Sequence, residues 1–388
     1  MKSITIQSIQ IHLISLPLVE VLTTSFGGEA NKSAMLLELQ TSDGVIGWGE
    51  SSAMVEPGYS YETLGSSYHI LREFLIPAVL GKTVNSPTAM PDLMKSVRGY
   101  PLSKHAVEAA VWDAWAKTND LRLADAFAHH LPAGHESRGF AHVGVSIGIK
   151  PSHQETIDTI QKRISQGYHR IKLKIRPGWD FEMARAVRAA LPDISLMLDA
   201  NSAYTLEDAE HLQQADELNL LMMEQPLGYE DIHQHSKLQP QLKTDVCLDE
   251  SIHSLGDAAL GYEIGAYRIL NLKPARVTGY TESLAIYRYC VEHEIPLWVG
   301  GLLETGVGRA ANLAFASLPG VTLPCDISAT DRYYDPDISE PAFHLAENST
   351  IAVPEGPGIG VAVQADRLQD SAAAWHSSNP YTSIRWEA

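Results

Sequence analysis

The sequence predicts an α/β protein: a TIM-type (β/α) barrel preceded by an α+β region. Three observations carry that prediction. From about Ala141 onward, short apolar strands alternate strictly with helix-length amphipathic segments, and eight consecutive units of this kind point to a barrel. The strand runs are apolar almost throughout, as expected where a parallel sheet is covered on both faces. Before Ala141 the order differs, with strands first and helices after, which is an α+β signature.

Along the chain, apolar residues alternate at Ile4 and Ile6, then at Ile9, Ile11 and Leu13. That reads as a strand and not as the continuous apolar stretch of a signal peptide. Ser33–Glu50 reads as a hairpin, AMLLELQ and VIGWGE joined by the turn chemistry of TSDG. Helical patterns follow around Tyr61–Leu80 and Ser103–Thr118, with Pro and Gly between them. In the barrel region VGVSIGI is followed by ETIDTIQKRISQG, HRIKLKI by FEMARAVRAAL, SLMLDAN by TLEDAEHLQQADEL and NLLMMEQP by DIHQHSKLQPQL. DVCLDES, YRILNLK, PLWVGG and VTLPCDIS complete the eight strands. The Pro- and Gly-punctuated remainder is expected to fold back onto the first domain. The expected division is 1–135, 136–326 and 327–388. A period near 25 also suits leucine-rich repeats, but their LxxLxLxxN signature is missing and the helices are too long.

The chain has 388 residues, 45% hydrophobic and 20% charged, which is ordinary globular usage. With 29 basic against 47 acidic residues the net charge is −18, a field that repels nucleic-acid phosphates and anionic membranes. No run of 18 apolar residues occurs, so no transmembrane span is expected. Cys247, Cys290 and Cys325 are an odd number, far apart and without CxxC spacing, and read as reduced thiols of a cytoplasmic protein. Cys247 reads as a small core residue. His129/His130 and His233/His235 lie in polar helical contexts and read as solvated.

The informative feature is a set of ionisable residues at the ends of apolar strands. Lys172 and Lys174 lie in IKLKI, Asp199 in LMLDAN, Glu224 in LMMEQP, Asp249 in VCLDES and Lys273 in ILNLKP. From Lys174 onward they recur at intervals of 25, 25, 25 and 24 residues. One βα unit per step puts one charge at the same height on five neighbouring strands, at the barrel mouth where active sites are built. Strand-end salt bridges between the lysines and the acids are the plain alternative. Five in register fit a metal site better, since converging carboxylates repel unless a cation lies between them. Three carboxylates without His or Cys at matching positions indicate a hard cation, Mg²⁺ first and Mn²⁺ second. Lysines on opposite sides of such a centre suit proton abstraction α to a carboxylate, because a neighbouring cation and a second amine favour the neutral base.

The motifs KLK, LDAN, EQP, DES, LKP and GGLLETGVGRAA resemble the enolase superfamily, known for a Lys or His base used with Mg²⁺. The resemblance runs through the whole chain and implies an N-terminal α+β capping domain on a modified barrel. Lysines on two strands resemble the muconate-lactonizing subgroup. GYHRIKLKIRPGWD, KPARVTG, LPCDISATDRYY and VPEGPGIGV resemble the branch containing o-succinylbenzoate synthases and N-succinylamino acid racemases. Asp326-Ile327-Ser328 lacks the DxD pair of the dipeptide epimerases. The resemblance implies Asp199, Glu224 and Asp249 as metal ligands, Lys174 as base with Lys172 tuning it, and Lys273 facing the enediolate or acting as second base. It implies substrate contacts at Ser146 and Asn201 and through the backbone at Gly301 and Leu302. It gives Arg276 a link with racemase ability. Phe26 and Met54, in two capping-domain loops, are expected to line the substrate pocket. A small carboxylate substrate, a homo-oligomer and a cytoplasmic location complete these expectations. Glu304 is a possible pocket residue without an assigned role.

Overall fold

The computed structural model describes residues 1–24, 27–377, 379 and 384–388. Phe26 lies outside the described residues. Strands β1 (Ile4–Thr24), β2 (Gly27–Thr41) and β3 (Ile46–Ser51) form an antiparallel sheet. The predicted hairpin closes with Gln40 opposite Ile46, and the C-terminal strand Ile384–Glu387 pairs along the outer edge of β1. Helices α1 (Leu64–Ile70) and α2 (Pro101–Thr118) lie among the helical elements of this half. α2 is buried on nearly every side, and β3 lies directly on it. A Cβ at Gly47 would fall 2.2 Å from the Ala110 carbonyl oxygen, and one at Gly49 2.0 Å from that of Ala106. The glycines of VIGWGE are therefore required by close backbone approach.

Seven parallel strands follow in sequence order: β4 (Gly144–Ile147), β5 (Arg170–Lys174), β6 (Ser195–Asp199), β7 (Met223–Glu224), β8 (Val246–Leu248), β9 (Ile269–Leu272) and β10 (Leu297–Val299). The predicted eighth strand is an irregular closing segment. On one side Leu323 and Asp326 donate backbone bonds to Leu297 and Val299; on the other, Cys325 exchanges bonds with His142 and Gly144. Pro324 between them has no N–H to give, which interrupts the ladder. Helices α3 (His153–Ser165), α4 (Phe181–Ala190), α5 (Leu255–Glu263), α6 (Tyr280–Glu292) and α7 (Gly306–Ala316) surround the strands.

Two buried glutamates dock the N-terminal half onto the barrel. Glu50, at the end of β3, accepts from the N–H groups of Thr305 and Gly308, both at 3.0 Å, at the start of α7. Glu108, on α2, accepts from the Thr281 N–H at 2.7 Å at the start of α6. A helix N-terminus carries unsatisfied N–H groups and partial positive charge, so each carboxylate fills a site built for an anion. Burial pushes both carboxyls up to about 7, against those hydrogen bonds.

All three cysteines are buried and free, Cys247 within the strand layer. His235 departs from its expected solvated state. It is fully buried and accepts from the Leu227 N–H at 3.1 Å, a structural role. Among the described residues, no helix is long and apolar enough to cross a membrane.

Candidate active site

The site lies at the C-terminal ends of the parallel strands. Lys174, Asp199 and Glu224 are direct cross-strand partners on β5, β6 and β7. Equal sequence spacing predicts the same level for Asp249 and Lys273, but the register is stepped. Cys247 is the partner of Glu224, and Ile269 of Cys247; Asp249 therefore lies two residues beyond that row and Lys273 four. Even offsets keep every side chain on the inner face. A TIM barrel is sheared by roughly one residue per strand, so a climb of four residues over four strands returns Lys273 to the height of Lys174. Four strand positions apart in a ring of eight, β5 and β9 face each other across the mouth.

The predicted acids and lysines come together as buried ion pairs. Lys172 Nζ lies 3.2 Å from Asp199 Oδ2 and 3.0 Å from Glu224 Oε2, and it also contacts Asp326. Lys174 Nζ donates to Asp199 Oδ2 and to Asn201 Oδ1, both at 2.6 Å. Lys273 Nζ lies 2.8 Å from Asp249 Oδ2, and Arg276 pairs with the other oxygen of that carboxylate. Burial alone would raise the Asp199 carboxyl, but Lys174 and Lys172 hold it well below the usual range. Asp249 is lowered in the same way by Lys273 and Arg276 against its burial. Glu224 goes the other way: burial, then repulsion from Asp199, push it well above its ordinary value. Burial opposes the charge of Lys172 and of Lys273, but the acids around each outweigh it, so both amines are held charged.

Asn201 has a positive φ of 42°, a conformation Asn tolerates, and its amide donates to Glu250 Oε1 at 2.9 Å. Ser146 is the cross-strand partner of Lys172. The Leu302 N–H donates to Glu304 Oε2 at 2.9 Å, so a side chain of this protein occupies the donor expected to meet a substrate carboxylate. A Cβ on Gly301 would lie 2.7 Å from the Asp326 carbonyl oxygen. Met54 lines a cavity of about 290 Å³ with Asn31, Lys32, Val55 and Glu56.

Sequence reasoning gave no role to Tyr59, Glu250, Asn271 or Asp326. Asn271 donates to Glu224 Oε1 at 2.7 Å and stands two residues before Lys273 on the same inner face, a spacing that could have signalled it. Asp326 ends the closing segment, where an acid after an apolar run was visible. Tyr59 has no local signal; its partner Asp249 is 190 residues away in sequence.

Among the described residues, no three His, Cys, Asp or Glu side chains stand as a ready ligand cluster, because lysines and Arg276 occupy the facing oxygens. The donor chemistry nonetheless fits a hard divalent cation. Asp199, Glu224, Asp249 and Glu250 are each at most 1% exposed. Glu250 is pushed up to about 7 by burial and by Asp249 and Asp199, and its Oε2 has no hydrogen-bond partner among the described residues.

A closed parallel barrel with acids between opposed lysines at its mouth, under an N-terminal α+β domain, is the enolase-like architecture. The family model "Enolase C-terminal domain-like" matches residues 155–367, and "Mandelate racemase / muconate lactonizing enzyme, N-terminal domain" matches residues 10–127. An o-succinylbenzoate synthase of Geobacillus kaustophilus is 42% identical, over 96% of this chain and 98% of its own. An N-succinylamino acid racemase of Thermus thermophilus is also 42% identical, over 92% of this chain and 94% of its own. The crystal structure of an enolase superfamily member from Listeria innocua superposes with a TM-score of 0.91 at 38% identity, covering 99% of both chains. This chain belongs to the mandelate racemase/muconate lactonizing enzyme family of the enolase superfamily.

Proposed function

We propose that the protein is an o-succinylbenzoate synthase, dehydrating 2-succinyl-6-hydroxy-2,4-cyclohexadiene-1-carboxylate, a step of menaquinone biosynthesis. The observation that carries this reading is the pair of lysines facing each other across a carboxylate-lined mouth. Relatives matched over nearly their full length and bearing that activity's name support it.

Lys174 takes the proton α to the substrate carboxylate, leaving an enediolate. The same ammonium returns a proton to the departing hydroxyl, which leaves as water while the ring becomes aromatic. Lys273 stays charged beside the enediolate on the other face. Lys172, held by Asp326 and Glu224, adds positive charge below. Asp199, Glu224 and Asp249 are the residues that would hold Mg²⁺, or Mn²⁺ in its place. When bound, the cation supplies positive charge against the enediolate. Ser146, Asn201, Gly301 and Leu302 contact the substrate in this reading, with Met54 toward its distal end. The small carboxylate substrate fits a chain charged −18 only through such a local basic site. A cytoplasmic homo-oligomer is the proposed assembly.

The opposed lysines also favour a second reading, racemisation of N-succinylamino acids, in which Lys174 and Lys273 exchange roles from opposite faces and Arg276 supports Lys273. A racemase relative at 42% identity supports it. The test is proton NMR of N-succinyl-L-phenylalanine in D₂O with Mg²⁺, run beside an assay of the cyclohexadiene dehydration. Dehydration that disappears in Lys174→Ala and Asp199→Asn is the expected result; intact activity in both variants would sink the mechanism. Loss of the α-proton signal with both enantiomers formed places racemisation beside dehydration in one enzyme.

A further inference from the structure

The two lysines are held by different parts of the chain. Lys174 is bound by Asp199 and Asn201, both from the barrel. Lys273 is bound by Asp249 and also by Tyr59, which comes from the N-terminal domain. Its amine donates to the Tyr59 hydroxyl at 3.1 Å and lies 4.3 Å from the centre of the phenol ring, within the range of a cation–π contact. The hydroxyl in turn donates to Asp249 Oδ1 at 3.2 Å. One of the three ammonium N–H directions is thereby committed to Tyr59, while Asp249 stands beside the amine as its ion-pair partner.

Tyr59 is itself fixed. It is 7% exposed and packs in a small apolar cluster, separate from the main core, with Ala53 and Leu102 of the N-terminal domain and Ala275 and Leu302 of the barrel rim. Met54 packs against the same cluster. The loop around residues 53–59 therefore contacts the barrel through the residue that holds one amine, and it makes no such contact with the other.

We propose that Tyr59 is the positioning residue for Lys273, so that the capping-domain loop sets reactivity on one face of the site only. The proposal rests on the reading of Lys174 and Lys273 as acid/base groups on opposite faces. Its physical basis is that a base acts from a narrow range of positions, and losing a restraint on one amine leaves the other amine's geometry intact.

The experiment follows α-proton exchange in D₂O by NMR, using the full chain with Mg²⁺. N-succinyl-L-phenylalanine and N-succinyl-D-phenylalanine are measured separately for wild type, Lys174→Ala, Lys273→Ala, Tyr59→Phe and Tyr59→Leu. The lysine variants assign the faces, each losing exchange with one enantiomer. Tyr59→Phe is then expected to slow the Lys273-dependent enantiomer roughly tenfold or more, with the Lys174-dependent one within about twofold. Tyr59→Leu, which also removes the ring, is expected to deepen the loss on the same face. Retained exchange on the Lys174 face in the same sample shows that the variant is folded. Equal loss on both faces, or none on either, overturns the role of Tyr59 and leaves the two-lysine reading standing. Lysine variants that fail to separate the enantiomers overturn that reading and the proposal together.

Discussion

Lys174 donates to Asn201 Oδ1 at 2.6 Å, and Glu250 decides which way that amide faces. Because the Asn201 Nδ2 donates to Glu250 Oε1 at 2.9 Å, its oxygen is turned to the lysine. The Asn201 N–H also donates to Asp199 Oδ1 at 3.0 Å, so one residue ties the lysine, the neighbouring acid and Glu250 together. Asn201→Ala removes the acceptor and places a residue less suited to positive φ at that turn. A kcat/KM for dehydration lowered roughly 10–100-fold is expected, with a stability loss of only about 1–2 kcal/mol. Steady-state kinetics beside thermal unfolding checks this, and an unchanged kcat/KM would show that the lysine finds its place without Asn201.

Charge in the mouth predicts dependence on a divalent cation. Asp199, Glu224, Asp249, Glu250 and Asp326 face Arg170, Lys172, Lys174, Lys273 and Arg276 in one buried network. A lysine must be neutral before it can accept a proton, and a neutral Lys174 leaves the buried acids around it short of one positive charge. A bound divalent cation supplies positive charge in its place. Chelation with EDTA is expected to stop turnover and Mg²⁺ or Mn²⁺ to restore it. Asp249→Asn is expected to weaken Mn²⁺ binding measured by calorimetry. Full turnover in EDTA would refute the metal assignment.

The extent to which this site could be read in advance follows from what periodicity encodes. Asp199, Glu224 and Asp249 were visible because a charged residue in an otherwise apolar strand stands out, and the βα unit repeats at a nearly constant length. The step in register between Glu224 and Asp249 was not visible, since an apolar run carries no record of barrel shear. Tyr59 and Lys273 are 214 residues apart, and only the packing of one domain on the other brings them into contact. The hairpin of β2 and β3 is legible from TSDG, whereas the irregular closing segment at Pro324 has the sequence pattern of an ordinary strand because its flanking residues are apolar. The start of α7 carries no local mark of its occupant, because Glu50 lies 255 residues from Thr305.

Close approach of β3 to α2 makes Gly49 intolerant of any side chain. Its Cβ position falls 2.0 Å from the Ala106 carbonyl oxygen and 2.9 Å from the Ala110 backbone nitrogen, and backbone on a buried helix cannot swing aside as a flexible side chain can. Gly49→Ala is expected to cost about 1–3 kcal/mol or more through overpacking. Thermal or urea unfolding measures it. Gly44→Ala offers a contrast, because nothing lies within 4 Å of the added Cβ and only the positive φ of 81° opposes it. Equal losses at the two positions would mean that backbone conformation, and not the β3–α2 contact, sets the cost.

Glu108 predicts how the docking of the two halves responds to pH. Burial raises its carboxyl from 4.5 to about 7, against hydrogen bonds from Thr281 and Trp112 and with Glu282 adding repulsion. The folded protein therefore holds this proton more tightly than the unfolded chain. The stabilising contribution is complete below pH 4.5 and is lost as pH rises through about 7. Glu108→Gln cannot titrate, yet it keeps an oxygen that can accept from the Thr281 N–H at the start of α6. Wild-type stability relative to this variant is expected to decline between pH 5 and pH 8 by up to about 3 kcal/mol, measured by urea unfolding at both ends of the range. A difference that stays constant with pH would mean that the hydrogen bonds at the helix N-terminus, and not burial, govern the charge of Glu108.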